Sequence, residues 1–152
     1  MARRKIIPRL GDVFEIPLAD GKLAFGHILR GNLVGFYGFE SDRRVSLDTV
    51  VASVVAFRIV CMIDSIEEGQ WPILGNVPPP APMNEPMRFW RSTAAGFLFI
   101  QEWRSDTGKE ERRATEAEIA GLEESVIWNP SAVIARLKCF FRGEACPQVR
   151  LG

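Results

Sequence analysis

The chain has 152 residues, of which 47% are hydrophobic and 25% are charged. That composition indicates one globular domain and excludes a disordered tail, a collagen-like fibre and a multidomain enzyme. Folding at this length buries roughly 68 to 70% of the surface that an unfolded chain exposes, so the core needs neither disulfides nor metals. Nineteen Lys and Arg residues balance nineteen Asp and Glu residues, which argues against a general nucleic-acid binder, because such domains carry a basic excess.

The cysteines and the amino-terminal residues predict a cytoplasmic protein. Cys61, Cys139 and Cys146 are odd in number and show no C-x-x-C spacing, so we expect free thiols in a reducing compartment. The chain starts with a basic run but lacks the apolar stretch of a secretory signal. The most apolar segment, residues 50–63, is shorter than the roughly 18 residues of a membrane-spanning helix. We therefore expect no membrane association.

Alternating side chains predict that the first third of the chain consists of strands. These strands cover residues 11–18, 23–29 and 33–39. Asp20-Gly21 favours a two-residue type I′ hairpin after the first strand, and Arg30-Gly31-Asn32 predicts a second tight turn. Pro17 suggests that the first strand lies at an edge. Glycines within the strands favour bends, so we expect an antiparallel, strongly bent β-meander that forms a partial barrel.

The middle of the chain contains short elements and a proline-rich loop. The sequence predicts a helical turn from Ser46 to Val51, a buried strand over residues 54–62 and another helical turn from Asp64 to Gly69. Five of the ten residues from 77 to 86 are proline, which favours extended polyproline geometry. The flanking segments are too short to be separate domains. We therefore expect a single domain over residues 1–152, in which residues 1–10 form a flexible basic lead.

The last third predicts one more strand followed by a helix. Residues 97–103 alternate as in a strand, and Asp106-Thr107-Gly108 forms the turn that ends it. Thr115 and Glu118 have the spacing of a capping box, in which each side chain satisfies a free backbone donor at the start of a helix. The apolar residues that would share one face of this helix are Ile119, Leu122 and Val126.

A second helix is predicted after Asn129, the N-cap, with Pro130 at its first position, where a missing N–H costs nothing. Its apolar residues recur at helical spacing, and Gly143 ends it. Because strands come first and helices last, the predicted fold is α+β, with the two C-terminal helices packed on the sheet.

The residues that usually carry catalysis are scarce in this sequence. His27 is the single histidine and alternates onto the same strand face as apolar neighbours, which favours a structural role. Cys139 and Cys146 have no nearby histidine to complete a metal site. The glycines between Gly31 and Gly38 lie within strands and are not followed by the Lys-Ser/Thr of a phosphate loop. We therefore expect no catalytic, cofactor-binding or metal-binding residues.

Two charged segments and two tryptophans are candidates for binding. The basic residues near the start are Arg3, Arg4, Lys5 and Arg9. An acidic segment on or just before the first predicted helix carries Glu116, Glu118, Glu123 and Glu124. Acidic residues in a first helical turn complement the helix dipole, but this does not account for Glu123 and Glu124. Trp71 and Trp128 are predicted to fill the core, whereas Trp90 or Trp103 could anchor an interface.

Several segments together resemble immunity protein family 26 of bacterial polymorphic toxin systems. The first are Gly11-Asp12-Val13-Phe14-Glu15-Ile16-Pro17-Leu18, Asp20-Gly21-Lys22, Phe25-Gly26 and Gly35-Phe36-Tyr37. The later ones are residues 57–62, residues 64–69 with Trp71, Ile73-x-Gly75, Leu122-Glu123, Val126-x-Trp128-x-Pro130 and Val133-x-x-Arg136-Leu137. The chain departs from the family pattern at His27, where an arginine is expected, and at Asn129, where an aspartate is expected.

This resemblance implies a protein without catalytic activity that binds and neutralises a cognate toxin. Fast association of such a pair favours opposite charges on the two surfaces. If the toxin surface is basic, the acidic residues Glu116, Glu123 and Glu124 are the predicted contacts, with Trp90 as an aromatic anchor.

Two other interpretations remain open at this point. The first is a small β-barrel-like module that binds nucleic acid through the basic residues at the start of the chain and stacks bases on Tyr37 or Phe39. The balanced net charge argues against it. The second is an enzyme that uses His27 with a carboxylate, which has the least support.

Overall fold

A computed structural model describes residues 4–105 and 107–145. Arg3 of the basic lead, Asp106 of the predicted turn and Cys146 lie outside the described residues. The strands are β1 (Asp12–Pro17), β2 (Leu23–Ile28), β3 (Leu33–Tyr37), β4 (Val55–Cys61), β5 (Ile73–Asn76), β6 (Met87–Ser92), β7 (Leu98–Arg104), β8 (Gly108–Arg113), β9 (Glu123–Glu124) and β10 (Ile127–Trp128). The helices are α1 (Leu47–Val51), α2 (Asp64–Glu67), α3 (Ala81–Asn84), α4 (Glu116–Ile119) and α5 (Pro130–Phe141). The predicted α+β class is confirmed.

The six-stranded sheet contains the predicted meander. Its strand order is β10-β4-β3-β2-β1-β5, and β1 to β4 pair with their neighbours in antiparallel fashion. The register shifts between Phe36 and Tyr37, just before Gly38. A shift at this place agrees with the prediction that glycines within the strands favour bends. The short strand β10 adds to β4 in parallel. The sheet is open and does not close into a barrel, with β10 and β5 at its two edges.

Two details of the first hairpin differ from the prediction. The turn is not type I′, because Asp20 has a negative φ and Gly21 alone takes the left-handed conformation, at φ +82°. Leu18 N–H donates to Lys22 C=O, so the loop has three residues and Gly21 forms the bulge. The expectation that β1 lies at an edge is also wrong, because β5 pairs with β1 over residues 12–14. Pro17 lies beyond that ladder, where its missing N–H costs no sheet hydrogen bond.

Both faces of the six-stranded sheet are covered. One face packs against α5, with a core that includes Phe14, Phe36, Trp128 and Leu137. The other face packs against α1, α3 and β6, with a core that includes Phe25, Tyr37, Val50, Met83 and Phe89. The predicted burial of Trp71 and Trp128 is confirmed, since each is less than 5% exposed.

The carboxyl-terminal third has one long helix rather than two. The capping box between Thr115 and Glu118 is confirmed, but α4 has a single turn. Gly121 then takes a φ of +79°, and the chain continues as β9, so Leu122 and Val126 are not helical. The second predicted helix is confirmed as α5, and the Asn129 side chain accepts a hydrogen bond from Ala132 N–H at 2.8 Å.

A second sheet of four strands was not predicted as a unit. Its order is β8-β7-β6-β9, and only β7 was expected from the sequence. The proline-rich loop also differs, because α3 interrupts the expected extended geometry with one helical turn. Met83 of this turn is 3% exposed and packs in the core, so the loop is attached to the sheet by an apolar side chain.

Candidate functional site

The four residues predicted to contact a toxin lie on or next to the four-stranded sheet. Glu116 is exposed on α4, Trp90 is half-buried on β6, and Glu123 and Glu124 form β9. Strands β6 and β9 pair in parallel, which places Trp90 opposite Glu124. The structure thus brings Trp90 and Glu124 together, although the three glutamates do not share a helix as expected.

Glu123 is committed to a contact inside the protein. Its Oε1 and Oε2 accept hydrogen bonds from Nη1 and Nη2 of Arg136 at 2.5 and 3.1 Å. The two side chains are only 15% and 21% exposed. The guanidinium of Arg136 also lies 4.3 Å from the ring centroid of Phe57 and 5.0 Å from that of Trp128. This ion pair connects β9 to α5 and largely neutralises Glu123.

Trp90 lies on a covered face of the four-stranded sheet. The cross-strand register places Arg112, Ile100, Trp90 and Glu124 in one row, and Ile100 is 3% exposed. Arg112 forms a 2.6 Å salt bridge with Glu118, which holds α4 beside this row. The hydrogen bond from Arg112 is also the main reason that the pKa of Glu118 lies below its usual range. Among the four predicted contacts, Glu116 is exposed and the other three are half-buried.

The opposite face of this sheet carries a group of side chains that we call the arginine–phenylalanine row: Arg91, Phe97, Phe99, Glu111 and Arg113. The guanidinium of Arg91 lies 4.6 Å from the ring centroid of Phe99, and that of Arg113 lies 4.1 Å from the centroid of Phe97. Arg91 also donates to both carboxylate oxygens of Glu111, with an Nε–Oε2 distance of 2.8 Å. Cation–π and ion-pair contacts therefore hold these side chains in place.

The arginine–phenylalanine row has the residue composition of a binding surface, and its side chains are held in fixed positions. Phe97 is 47% exposed, and arginines and aromatic residues are enriched where proteins meet. The hydrogen bonds from Arg91, together with that from Gln101, lower the pKa of Glu111 to about 2, so Glu111 stays ionised at neutral pH. Side chains that are already ordered lose less entropy when a partner binds. Sequence analysis missed this row because it forms only when β6 and β8 pair with β7.

His27 has the structural role that the sequence predicted. It is fully buried, and its Nε2 lies 2.9 Å from the carbonyl oxygen of Val77. A carbonyl can only accept, so Nε2 carries the proton, and Nδ1 accepts from the Tyr37 hydroxyl at 2.8 Å. Burial lowers the pKa of His27, which stabilises the neutral ring. Both nitrogens are occupied within the core, which does not fit the interpretation of His27 as a base open to substrate.

The aromatic residues of the nucleic-acid interpretation are not placed to stack on bases. Tyr37 is fully buried. Phe39 is half-buried and stacks on Phe25, with ring centroids 5.8 Å apart. Base stacking needs an accessible ring face, so neither residue provides the platform that this interpretation requires.

The cysteines and the acidic residues do not form a metal centre among residues 4–105 and 107–145. Cys61 is buried, which raises the pKa of its thiol to about 12, and such a thiol is a poor nucleophile. Cys139 is half-buried and free. In the described part of the chain, no helix has both the length and the apolarity to cross a membrane.

The chain matches the model of a known protein family. The model of the family described as Immunity protein 26 matches residues 9–97, a range that includes β1 to β6 and α1 to α3. Neither a curated protein nor a solved structure matches the chain. The match confirms the resemblance to this family for the segments up to residue 97. The resembling segments from Leu122 to Leu137 lie beyond the matched residues, as do β7, β8 and α5.

Proposed function

The chain belongs to the immunity protein 26 family, and from this membership we propose that it binds and neutralises a cognate bacterial toxin in the cytoplasm without catalysing a reaction. The family match over more than half of the chain is the observation that carries the proposal. A protein of this kind works by complementarity between its surface and that of the toxin.

We further propose that the toxin contacts the four-stranded sheet. On one side, Glu116 is exposed and Glu124 lies half-buried beside Trp90. On the other side, the arginine–phenylalanine row presents ordered rings and guanidinium groups. The acidic residues would attract a basic toxin surface and raise the association rate, whereas the exposed ring of Phe97 would contribute to the lifetime of the complex.

Co-expression with the protein encoded by the neighbouring gene tests the function directly. We expect the two proteins to co-purify and to form a complex of fixed stoichiometry in size-exclusion chromatography. Failure to form any complex with the toxin from the same locus would refute the proposed function.

Charge reversal tests the acidic part of the surface. Glu116→Lys combined with Glu124→Lys should lower the association rate about tenfold at low salt and flatten its salt dependence. Glu68→Lys combined with Glu144→Lys is the matched control, because it reverses the same number of charges at exposed residues that lie just beyond α2 and α5. Glu123 is tested separately as Glu123→Gln, since reversal of its charge would also break the contact with Arg136. Unchanged rates in a complex that still forms would refute the assignment of this surface alone.

Removal of an exposed ring tests the other side of the sheet. Phe97→Ser should raise the dissociation rate about tenfold or more, because loss of a buried aromatic anchor acts on complex lifetime. Phe140→Ser on α5 is the control, since Phe140 is 40% exposed, similar to the 47% of Phe97. Equal effects of the two substitutions would contradict a role for the row.

A further inference from the structure

A small cavity of about 90 Å³ lies where the two sheets meet. It is bounded by the turn after β2, by β4, by α3 and by the end of β7. Its apolar wall consists of Leu29, Leu33 and Met83 together with the indole of Trp103. A cavity of this volume holds a few water molecules or one small functional group.

Arg58 contributes a half-buried positive charge to this cavity. Its Nη1 donates to the carbonyl oxygens of Met83, at 3.2 Å, and of Glu85. Within the described residues, no carboxylate lies within salt-bridge distance of the guanidinium. Burial lowers the pKa of Arg58, and the charge of nearby Glu85 opposes this effect. A partly desolvated cation without an ion pair favours the binding of an anion.

Trp103 adds an unused hydrogen-bond donor. Its Nε1 is buried and has no hydrogen-bond partner, whereas buried indole N–H groups usually find one. The same tryptophan lines the cavity, and its ring is fixed against Gly31, where an added Cβ would lie 2.7 Å from Cζ3. The unpaired donor therefore belongs to a residue that lines the cavity and packs closely on Gly31.

The charges that line the cavity are predominantly positive. Three arginines, Arg30, Arg58 and Arg104, line it against one acidic residue, Glu85. Arg104 also contacts Glu102 at 2.7 Å. Among the described lining residues, positive charges therefore outnumber negative ones, and the pair with Glu102 offsets part of the charge of Arg104. The space is too small for a nucleotide or a cofactor.

We propose that this cavity binds a carboxylate group and that, in the complex, the group is an Asp or Glu side chain of the toxin. The second part rests on the proposed function. The two oxygens of a carboxylate can accept hydrogen bonds from two parallel N–H groups of one guanidinium, here that of Arg58. The unpaired indole N–H of Trp103 provides a further donor. The apolar wall covers the methylene groups of the incoming side chain. One acidic residue seated in this way is the kind of central, desolvated anchor that dominates many interfaces.

Titration with sodium acetate tests the carboxylate site in the free protein. The reporter is the indole ¹H–¹⁵N resonance of Trp103, which is assigned by its loss in Trp103→Phe. We expect a saturable shift of this resonance at constant ionic strength, with sodium chloride as the ionic control. An equal shift with chloride, or a shift with inorganic phosphate while acetate has no effect, would overturn the proposal.

Variants of the lining arginines locate the site. Arg58→Gln should weaken acetate binding about tenfold, because it removes the charged donor. Arg43→Gln is the matched control, since Arg43 is an exposed arginine that pairs with Asp42 and does not line the cavity. If Arg58→Gln does not fold, Arg104→Gln provides the second test, with a smaller expected loss of about threefold. Acetate binding that is unchanged in a folded Arg58→Gln or Arg104→Gln protein would overturn the proposal.

The toxin complex tests the source of the carboxylate. The Trp103 resonance should shift on complex formation, and acetate should then produce no further change. A complex in which the Trp103 resonance is unmoved and still responds to acetate would refute the toxin side chain as occupant. Acetate binding without any toxin complex would refute the proposed function and leave the carboxylate site in place.

Discussion

Substitution of Gly26 by alanine tests how tightly the core constrains the sheet. An added Cβ at this position would lie 2.3 Å from Cζ of Phe14, more than 1 Å short of the ~3.5 to 4.0 Å at which carbon atoms pack. The Phe14 ring has no free space to move into, because it is fully buried and stacks on Trp71 with a centroid distance of 5.7 Å. An edge contact with Phe36 at 6.2 Å fixes its other side. The methyl group therefore forces the core or the strand to shift.

The expected cost of Gly26→Ala is about 2 kcal/mol in the free energy of unfolding. Overpacking of a core costs ~1 to 3 kcal/mol, and a clash of this depth belongs in the upper part of that range. Alanine recovers about 0.5 to 1 kcal/mol, because it restricts the unfolded chain more than glycine does. For a domain of this size, the net cost corresponds to a fall in Tm of about 4 to 8 °C.

Urea unfolding followed by tryptophan fluorescence measures this cost, and a double mutant identifies its cause. Phe14→Leu removes the ring that the new methyl group meets, so Gly26→Ala should cost almost nothing in the Phe14→Leu background. The two single costs should therefore fail to add by about 2 kcal/mol. Additive costs, or a Gly26→Ala protein within about 0.5 kcal/mol of wild type, would refute the packing argument.

Three further predictions concern the buried histidine, the arginine–phenylalanine row and the proline-rich loop. Burial keeps the pKa of His27 below 6.5 in the folded protein, so the free energy of unfolding should decrease as the pH falls below 6.5, and His27→Gln should abolish this dependence in urea titrations. The pKa of Glu111 is about 2 against a usual 4.5, so its contribution to the free energy of unfolding is complete above pH 4.5 and is lost as the pH falls towards 2. A Glu111→Gln protein whose free energy of unfolding falls with acid pH in the same way as that of wild type would contradict this. Met83→Ala should cost about 2 to 4 kcal/mol in urea unfolding, because it leaves a cavity beneath α3, whereas a cost below about 1 kcal/mol would show that the loop is not attached by this side chain.

The sequence predicted those elements that depend on contacts between residues close together in the chain. The caps at Thr115 and Asn129 each satisfy a backbone N–H three residues away, and both predictions are confirmed. Ser46, the predicted start of the first helical turn, caps α1 in the same way. The end of α4 could have been predicted by the same reasoning, since Gly121 follows it closely and takes a positive φ. The helical spacing of Ile119, Leu122 and Val126 suggested a longer helix, but the helix ends before Gly121.

Strand β8 could not be predicted because its sequence, Gly108–Arg113, contains no apolar residue. It forms because β7 presents a free edge and because the ion pairs of Arg91 with Glu111 and of Arg112 with Glu118 fix its side chains. Arg91 lies 20 residues from Glu111 in the sequence and belongs to β6, a strand that was not predicted. Charged strands of this kind depend on tertiary contacts rather than on intrinsic propensity.

In the candidate sites, too, the sequence indicated single residues but not the contacts between distant ones. The sequence identified Glu116, Glu124 and Trp90 as candidates by charge and residue type, but the contact of Glu123 with Arg136 depends on how β9 lies against α5. The proximity of Arg58 and Trp103 was likewise hidden, because these residues belong to different sheets and meet only where the sheets pack.

The most direct test of the central claim is a titration of the toxin encoded beside this gene with the purified protein, read out as toxin activity. Inhibition by surface binding predicts that activity falls linearly and reaches its minimum at a fixed stoichiometric ratio. It also predicts that active toxin of unchanged mass is recovered when the complex is dissociated. Inhibition by far less than a stoichiometric amount, with a chemically altered toxin or a consumed substrate, would show catalysis and contradict the account.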